Sequence, residues 1–317
     1  MTLHVVSVSG GKDSLATLLI ALERCPTGTV VPIFCDTGNE HQVTYDYLTY
    51  LEHALDISIT WLKADFTKQL AAKRLFIARD MRTGRDRAGR KLRWSNKAKR
   101  RALAVMHPTG NPFLDLCMWK GRFPSRKAQF CTEELKRNMA VEFQLDLMEA
   151  GHRVISWQGV RRDESENRRK AKLFERVGGG LWIFRPIVAW TAAQVFEFAA
   201  SRRIQPNPLY LQGMGRVGCM PCINCNKAEL RQIAIRFPEH LARISEWEQI
   251  VSACSKRGGS TFMADAHSSK DRREVFADLN IWARIEWSRT TRGGRQFDLL
   301  STIDEPTACA SAYGLCD

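Results

Sequence analysis

Residues 5–14 read Val-Val-Ser-Val-Ser-Gly-Gly-Lys-Asp-Ser, and no other stretch constrains the fold of this chain so tightly. Val5 to Val8 make a short apolar strand, Ser9-Gly10-Gly11 a turn, and Leu15 to Leu22 an apolar helix with Asp13 as its expected cap. Where a strand feeds a glycine turn and then a helix, free amides and the positive end of the helix dipole point the same way, which makes an anion site. Lys12 and Ser14 complete the string. The phosphate loop of common NTPases needs four residues between its first Gly and the Gly-Lys pair, and this turn has none.

The next 50 residues repeat the alternation. A strand at 3–8 is followed by a helix at 13–24, a strand Val30 to Cys35, a turn at Asp36-Thr37-Gly38, a helix at 41–55 and a strand Ile57 to Leu62. That rhythm predicts an α/β fold: a parallel, twisted sheet with right-handed crossovers and helices on both faces. Ligands in such sheets sit at the carboxyl ends of strands, where Ser9 and Asp36 fall. A helix over 66–79, an irregular stretch over 108–130, and a helix from Thr132 to Glu149 opened by a capping-box-like start are expected next. A strand Val154 to Trp157, a strand or turn Leu181 to Pro186 and a helix over 191–202 complete a nucleotide-binding domain drawn at 1–203. After Arg203, prolines and glycines mark a long loop, cysteines cluster, and helices are expected at 226–236, 239–256 and 271–280. This gives a Cys-rich, mainly helical C-terminal region at 204–317.

Composition narrows the partners. The chain has 317 residues, 44% of them apolar, and no run approaching a membrane span. With the first strand so near the N-terminus no signal peptide is expected, and ten cysteines are then expected to meet a reducing cytoplasm as thiols or metal ligands. Net charge is +14, and between Lys73 and Arg101 thirteen Lys or Arg face two Asp, so 13 − 2 = +11 lies in one stretch. This basic insertion, 73–107, reads as exposed or partly disordered. Contact of 73–101 with a nucleic-acid backbone is its functional reading, a solvated charged loop the alternative.

Three further segments carry chemistry. The carboxylate of Asp36, with Thr37 and Gly38, can accept hydrogen bonds from a ribose or an adenine amino group. Arg161, in Trp157-Gln-Gly-Val-Arg-Arg-Asp-Glu-Ser165, can grip phosphate or sulfate in a fork. Arg126, Lys127 and Lys136 flank Cys131, whose place before a helix favours a reactive thiol or a metal ligand. Cys219-Met-Pro-Cys222-Ile-Asn-Cys225 has the C-x2-C-x2-C spacing of iron–sulfur loops, with zinc the alternative. Cys25, Cys35 and Cys254 read as core residues.

The loop Ser9–Ser14 resembles the pyrophosphate loop (PP-loop) of the adenylating ATP pyrophosphatase, HUP-like superfamily. Together with Asp36–Gly38, Cys131–Lys136 and Arg161–Ser165, in that order over roughly residues 1–190, it resembles the phosphoadenosine phosphosulfate reductase family. Cys117-Met-Trp-Lys-Gly-Arg-Phe-Pro-Ser and the terminal Tyr-Gly-Leu-Cys are similar to reductase-like proteins of phages and mobile elements. The resemblance implies that Ser9, Gly10, Gly11, Lys12, Asp13 and Ser14 bind the phosphates of ATP or an adenylyl sulfate, with Mg2+ bridging them. It implies that Asp36, Thr37 and Gly38 complete the nucleotide site, and that Lys12, Asp13, Lys136 and Arg161 serve catalysis. It also implies a [4Fe-4S] cluster on Cys219, Cys222 and Cys225, with Cys131 the first choice for fourth ligand and Cys117, Cys309 and Cys316 its competitors. Cluster-bearing reductases carry two adjacent cysteines where this chain has Phe130-Cys131, and the Glu-Cys-Gly-Leu-His nucleophile of the cluster-free reductases is missing.

Three functions follow from the resemblance. The first is an ATP-dependent adenylation and sulfur transfer that modifies nucleic acid, fed by a sulfur donor. The second is a reductase of adenylyl sulfate or its 3′-phosphorylated form, served by a thioredoxin-like partner. The third is a nucleotide-gated binding module of a nucleic-acid complex.

Overall fold

The structure, a computed structural model, describes residues 1–263, 279–291 and 296–297. The chain divides into two compact units. The first holds Met1–Lys63 and Leu135–Met220; the second holds Ala64–Glu134 and the described residues from Pro221 onward. Both are discontinuous: residues 204–220 fold with the nucleotide loop, and the basic insertion folds within the second unit.

The first unit is built on a six-stranded sheet. Its strands are β1 (Thr2–Val8), β2 (Val30–Asp36), β3 (Thr60–Lys63), β4 (Arg153–Trp157), β5 (Phe174–Gly178) and β6 (Leu181–Phe184), in the spatial order β3-β2-β1-β4-β6-β5. Five are parallel, and β5 pairs antiparallel with β6 at the edge. β5 was not expected from the sequence, and it makes the sheet mixed rather than wholly parallel. Helices α1 (Lys12–Arg24), α2 (Gln42–Leu55) and α8 (Ala192–Ser201) cover one face, and α7 (Asn138–Glu149) covers the other. The alternation of β1 decides the two cores. Val6 and Val8 join Leu15, Leu18 and Leu19 of α1 and Leu48 and Leu51 of α2, while Val5 joins Ile33, Val154 and Leu181 against Phe143 and Leu147 of α7. A sheet buried on both faces needs near-continuous apolar strands, as β1 and β2 are.

The second unit is mainly helical in its described residues, with α3 (Thr67–Ala78), α4 (Asn96–Val105), α5 (Pro112–Lys120), a single turn α6 (Phe130–Thr132), α9 (Lys227–Arg236), α10 (Pro238–Cys254) and α11 (Ile281–Ser288), and a short antiparallel pair of Thr290–Thr291 with Gln296–Phe297. Aromatic rings knit it together, with Phe113 stacked on Trp247 at 5.7 Å and Phe123 edge-on to Phe262 at 5.5 Å. Residues 108–130, expected to be irregular, contain α5. The punctuation read as loop marks the helix ends: the Asn111 side chain caps Leu114 N–H, Pro112 takes the first turn, and Gly121 closes the helix at φ 65°. Thr132 caps nothing. It lies inside α6, which runs into a π turn at Glu133–Arg137 before α7 begins. All but the last two residues of the helix expected at 271–280, and Cys309 and Cys316, lie outside the described residues. Among the described residues no helix is long and apolar enough to cross a membrane.

Candidate nucleotide site

β1 delivers the chain to Ser9, and α1 starts at Lys12 with Gly11 as its cap. Asp13, expected to cap the helix, instead lies in its first turn. No side chain caps this end, and the Ser14 hydroxyl turns back to donate to Gly11 O at 2.9 Å while accepting Ser9 N–H at 3.1 Å. Gly10 sits at φ 72°, and a Cβ there would come within 2.8 Å of Thr44 Cγ2, so only glycine fits. Among the described residues the amides of Gly10 and Gly11 have no protein acceptor. Thr44, fully buried beneath them, has a hydroxyl with no hydrogen-bond partner. Two open amides, a helix N-terminus and a buried Lys12 form a cradle for an oxyanion.

The carboxylate of Asp13 is held from two sides. Lys12 Nζ lies 3.2 Å from Oδ2, and Arg161 Nε lies 2.5 Å from Oδ1. Arg161 is itself buried and also grips Asp163. Its fork, expected to meet phosphate, is thus engaged by carboxylates, and what it fixes is Asp13 at the head of α1. The approach is close enough that a Cβ on Gly159 would lie 2.6 Å from the Asp13 carbonyl carbon.

Asp36 ends β2, and its Oδ1 accepts the Gly38 N–H at 2.9 Å and the Tyr45 hydroxyl at 2.8 Å. Burial, with the charges of Glu40 and Asp36 beside it, pushes the Tyr45 phenol well above its usual range. Thr37 is buried and donates to the Glu40 carboxylate at 2.7 Å. Lys136 comes to the same strand end from the π turn: Cys35 Sγ donates to its carbonyl at 3.6 Å, and burial lifts the Cys35 thiol to about 11 against the pull of the Lys136 charge.

Sequence reasoning missed the segment that clamps these loops. The Asn207 amide donates to Gly10 O at 3.2 Å, and the Tyr210 hydroxyl accepts Lys12 N–H at 2.9 Å; both side chains are buried. Met220 N–H donates to Asn39 O at 2.7 Å, and Cys219 Sγ lies 3.4 Å from Thr37 Oγ1 and 3.6 Å from Glu40 Oε1. These residues stand about 200 positions from the loop, and no local pattern in Asn207-Pro-Leu-Tyr announces the pairing.

The cysteines divide between the units, Cys219 in the first and Cys131, Cys222 and Cys225 in the second. The Asn224 N–H points at Cys222 Sγ at 3.5 Å, as amides do toward thiolate ligands. Among the described residues Cys131, Cys222 and Cys225 do not form a set with all three sulfurs within 4.8 Å of one another. A single tetrahedral zinc needs every pair of sulfurs about 3.8 Å apart, which this trio alone does not offer. Cys117 is fully buried in α5, and burial, with Cys131 adding to it, holds its thiol well above the usual range, which suits a core residue better than a ligand.

This chain is similar to several known proteins. A 37.8 kDa protein in the gpa 5′ region of Escherichia phage 186 is 46% identical over all of this chain and 97% of its own length. An adenosine 5′-phosphosulfate reductase of Salinibacter ruber is 34% identical over 65 residues, 20% of this chain and 26% of its own. A phosphoadenylyl-sulfate reductase from Candida auris, solved with phosphate, is similar over 69% of this chain and 82% of that one, at 16% identity and a TM-score of 0.41. The family model for the phosphoadenosine phosphosulfate reductase domain matches residues 3–225, a span that takes in the cradle, the turn after β2 and the cysteine triplet, and the chain belongs to that family.

Proposed function

We propose that the first unit is an adenine-nucleotide enzyme that lays the phosphate chain on the amides of Gly10 and Gly11, and that it adenylates an acceptor before sulfur transfer. The observation that carries this reading is the pair of glycine amides with no protein acceptor among the described residues, beside buried Lys12. An acceptor oxygen attacks the α-phosphorus of ATP, the bond to the β-phosphate oxygen breaks, and pyrophosphate leaves onto the cradle. There Lys12 and the helix end stabilise the charge that develops. A sulfur nucleophile from a donor then displaces AMP from the acceptor. Both oxygens of Asp13 are already held by Lys12 and Arg161, so magnesium enters as part of the nucleotide substrate rather than as a resident ion. Asp36, Thr37 and Gly38 are placed for the ribose and base, and Lys136 for the anion or the acceptor.

Family membership favours a second reading, reduction of adenylyl sulfate or its 3′-phosphorylated form with a thioredoxin-like reductant. The two diverge in their products. ATP turned over to pyrophosphate supports adenylation; sulfite released from either sulfonucleotide in the presence of a dithiol supports reduction. Tight ATP binding with neither product leaves the nucleotide-gated binding module. In each case Lys12→Ala should weaken nucleotide binding at least tenfold by calorimetry, the loss of about one charge-assisted hydrogen bond. Unchanged binding would sink the site assignment.

Cys131, Cys219, Cys222 and Cys225 are the residues that would hold an iron–sulfur cluster, which would supply a redox or sulfur-holding centre. Three cysteines in C-x2-C-x2-C spacing favour an iron–sulfur cluster, with zinc the alternative. Anaerobic protein should carry iron rather than zinc, and serine at Cys222 or Cys225 should remove it. Colourless protein with one zinc per chain would refute this.

A further inference from the structure

We infer that the folded insertion between α3 and α4 is a docking surface for the phosphodiester backbone of nucleic acid. A solvated charge run would leave all thirteen cations of 73–101 alike, whereas the second unit gives ten of them two different tasks.

The first group builds the scaffold. Arg74 donates to the carbonyls of Leu103 and Met106, both at 2.7 Å, and Lys99 to those of Ala78 and Asp80 at 3.1 and 3.0 Å. Arg101 donates to Ala253 O and Ser255 O, tying α4 to the end of α10. Arg82 pairs with buried Asp80, whose other oxygen accepts the N–H of buried Trp94 at 2.8 Å. Between them the chain makes a short hairpin. Leu92 N–H donates to Gly84 O, Asp86 N–H to Arg90 O, and the Asp86 carboxylate accepts Ala88 N–H and Arg90 N–H. These bonds tie the insertion to helix ends and close its own turns, so the insertion expected to be partly disordered holds a fixed shape.

The second group is displayed on that scaffold. Arg79, Arg87, Lys91, Arg93, Lys97 and Arg100 are all exposed, and none has a carboxylate partner among the described residues. Arg79 follows α3, Arg87 rides the tip of the hairpin, Lys91 and Arg93 lie on its returning strand, and Lys97 and Arg100 stand three apart on α4, on one helix face. Buried Ala98 and Ala102 take the opposite face. Phe76, 42% exposed, adds an aromatic ring with the Arg82 guanidinium 4.7 Å above it. Like charges gathered on one short insertion repel one another and cost stability unless a polyanion neutralises them. A rigid array of this kind suits regularly spaced phosphates; it reads no sequence, because no base-directed side chain is singled out.

The test is the salt dependence of binding to a 30-nucleotide single strand and to a 30-base-pair duplex, followed by fluorescence anisotropy. If all six cations meet phosphates, log K should fall against log[salt] with a slope of about −4 for the single strand or −5 for the duplex. Arg87→Ala/Lys91→Ala/Arg93→Ala should make that slope shallower by about 2 to 3, with thermal melt and ATP binding unchanged. The control Arg153→Ala/Arg176→Ala, two exposed cations of the first unit, should leave the slope alone. No binding to either polymer at 50 mM salt, or a triple variant whose slope equals the parent's, would overturn the inference. Because ATP binding is read on the same samples, failure here is distinguishable from failure of the nucleotide site.

Discussion

Gly159→Ala is a one-carbon test of whether the end of β4 sets the geometry of the nucleotide loop. The added Cβ would stand 2.6 Å from both the carbonyl carbon and oxygen of Asp13 and 2.8 Å from Ser14 N. Carbon atoms in contact rest at about 3.5–4.0 Å, so something must move by about 1 Å. The obstacle is backbone in the first turn of α1, which no rotamer change relieves. Overpacking of this kind costs about 1–3 kcal/mol. At about 2–4 °C per kcal/mol, the figure for domains somewhat smaller than this chain, that lowers the melting temperature by roughly 2–12 °C. The larger effect should fall on function, because the same turn carries the cradle. A displaced turn loses aim at the phosphate, and one charge-assisted hydrogen bond is about 1.5–3 kcal/mol, or roughly 10- to 150-fold in Kd. Scanning calorimetry and titration calorimetry with ATP read the two effects. Gly151→Ala, at φ 87° with nothing within 4 Å of the added Cβ, costs backbone strain without a clash at the loop and should leave ATP affinity at the parent's value. If Gly159→Ala matches the parent in both melting and ATP affinity, the contact between the β4 end and α1 does not position the loop.

Two other perturbations read the same fold. Arg161→Ala removes the buried partner of Asp13, which keeps only Lys12; a cost of about 2–4 kcal/mol is expected, below the full figure for a buried pair because Asp13 is 16% exposed. Arg161→Lys should restore stability only in part, since a single ammonium cannot hold Asp13 and Asp163 together, and equal denaturant midpoints for the two variants would contradict this. Glu248, buried on α10, is lifted by burial to about 7 although its oxygens accept the N–H groups of Phe262 and Ile281. The unfolded carboxyl ionises near about 4.3. Between there and about pH 7 the folded chain therefore holds a proton the unfolded chain has released, and stability falls as pH rises through that window. Glu248→Gln should flatten the profile of denaturant midpoint against pH, and an unchanged slope would show that another group titrates.

What the sequence makes legible here is what the chain accomplishes locally. The strand, turn and helix of residues 2–24 and the alternation through Lys63 are contiguous, and each apolar period reports which side of the sheet it faces. Where the reading fails, the signal is either inverted or remote. Asn111, Pro112 and Gly121 look like loop residues because the same chemistry that breaks helices also begins and ends them, and α5 is short enough to be all ends. β5 is an edge strand with exposed Phe174 and Val177, so burial imposes no alternation that a reader could find.

The charge count at 73–101 shows the deeper limit. Composition supplies the sum of +11, but binding depends on which cations remain available, and that is settled by carbonyls the sequence does not pair with them. Arg74, Lys99 and Arg101 are spent on Leu103, Met106, Ala78, Asp80, Ala253 and Ser255. Arg161 is the same case at the nucleotide site: its sequence context suits a phosphate fork, and tertiary packing gives the fork to Asp13 and Asp163 instead. A guanidinium with five donors is valuable both for holding a fold and for holding a ligand. In this chain the two uses are told apart by partners: Arg74, Arg82, Arg101 and Arg161 are taken by carbonyls or carboxylates, and the exposed cations of the insertion that pair with no carboxylate among the described residues are the ones proposed to meet a polyanion.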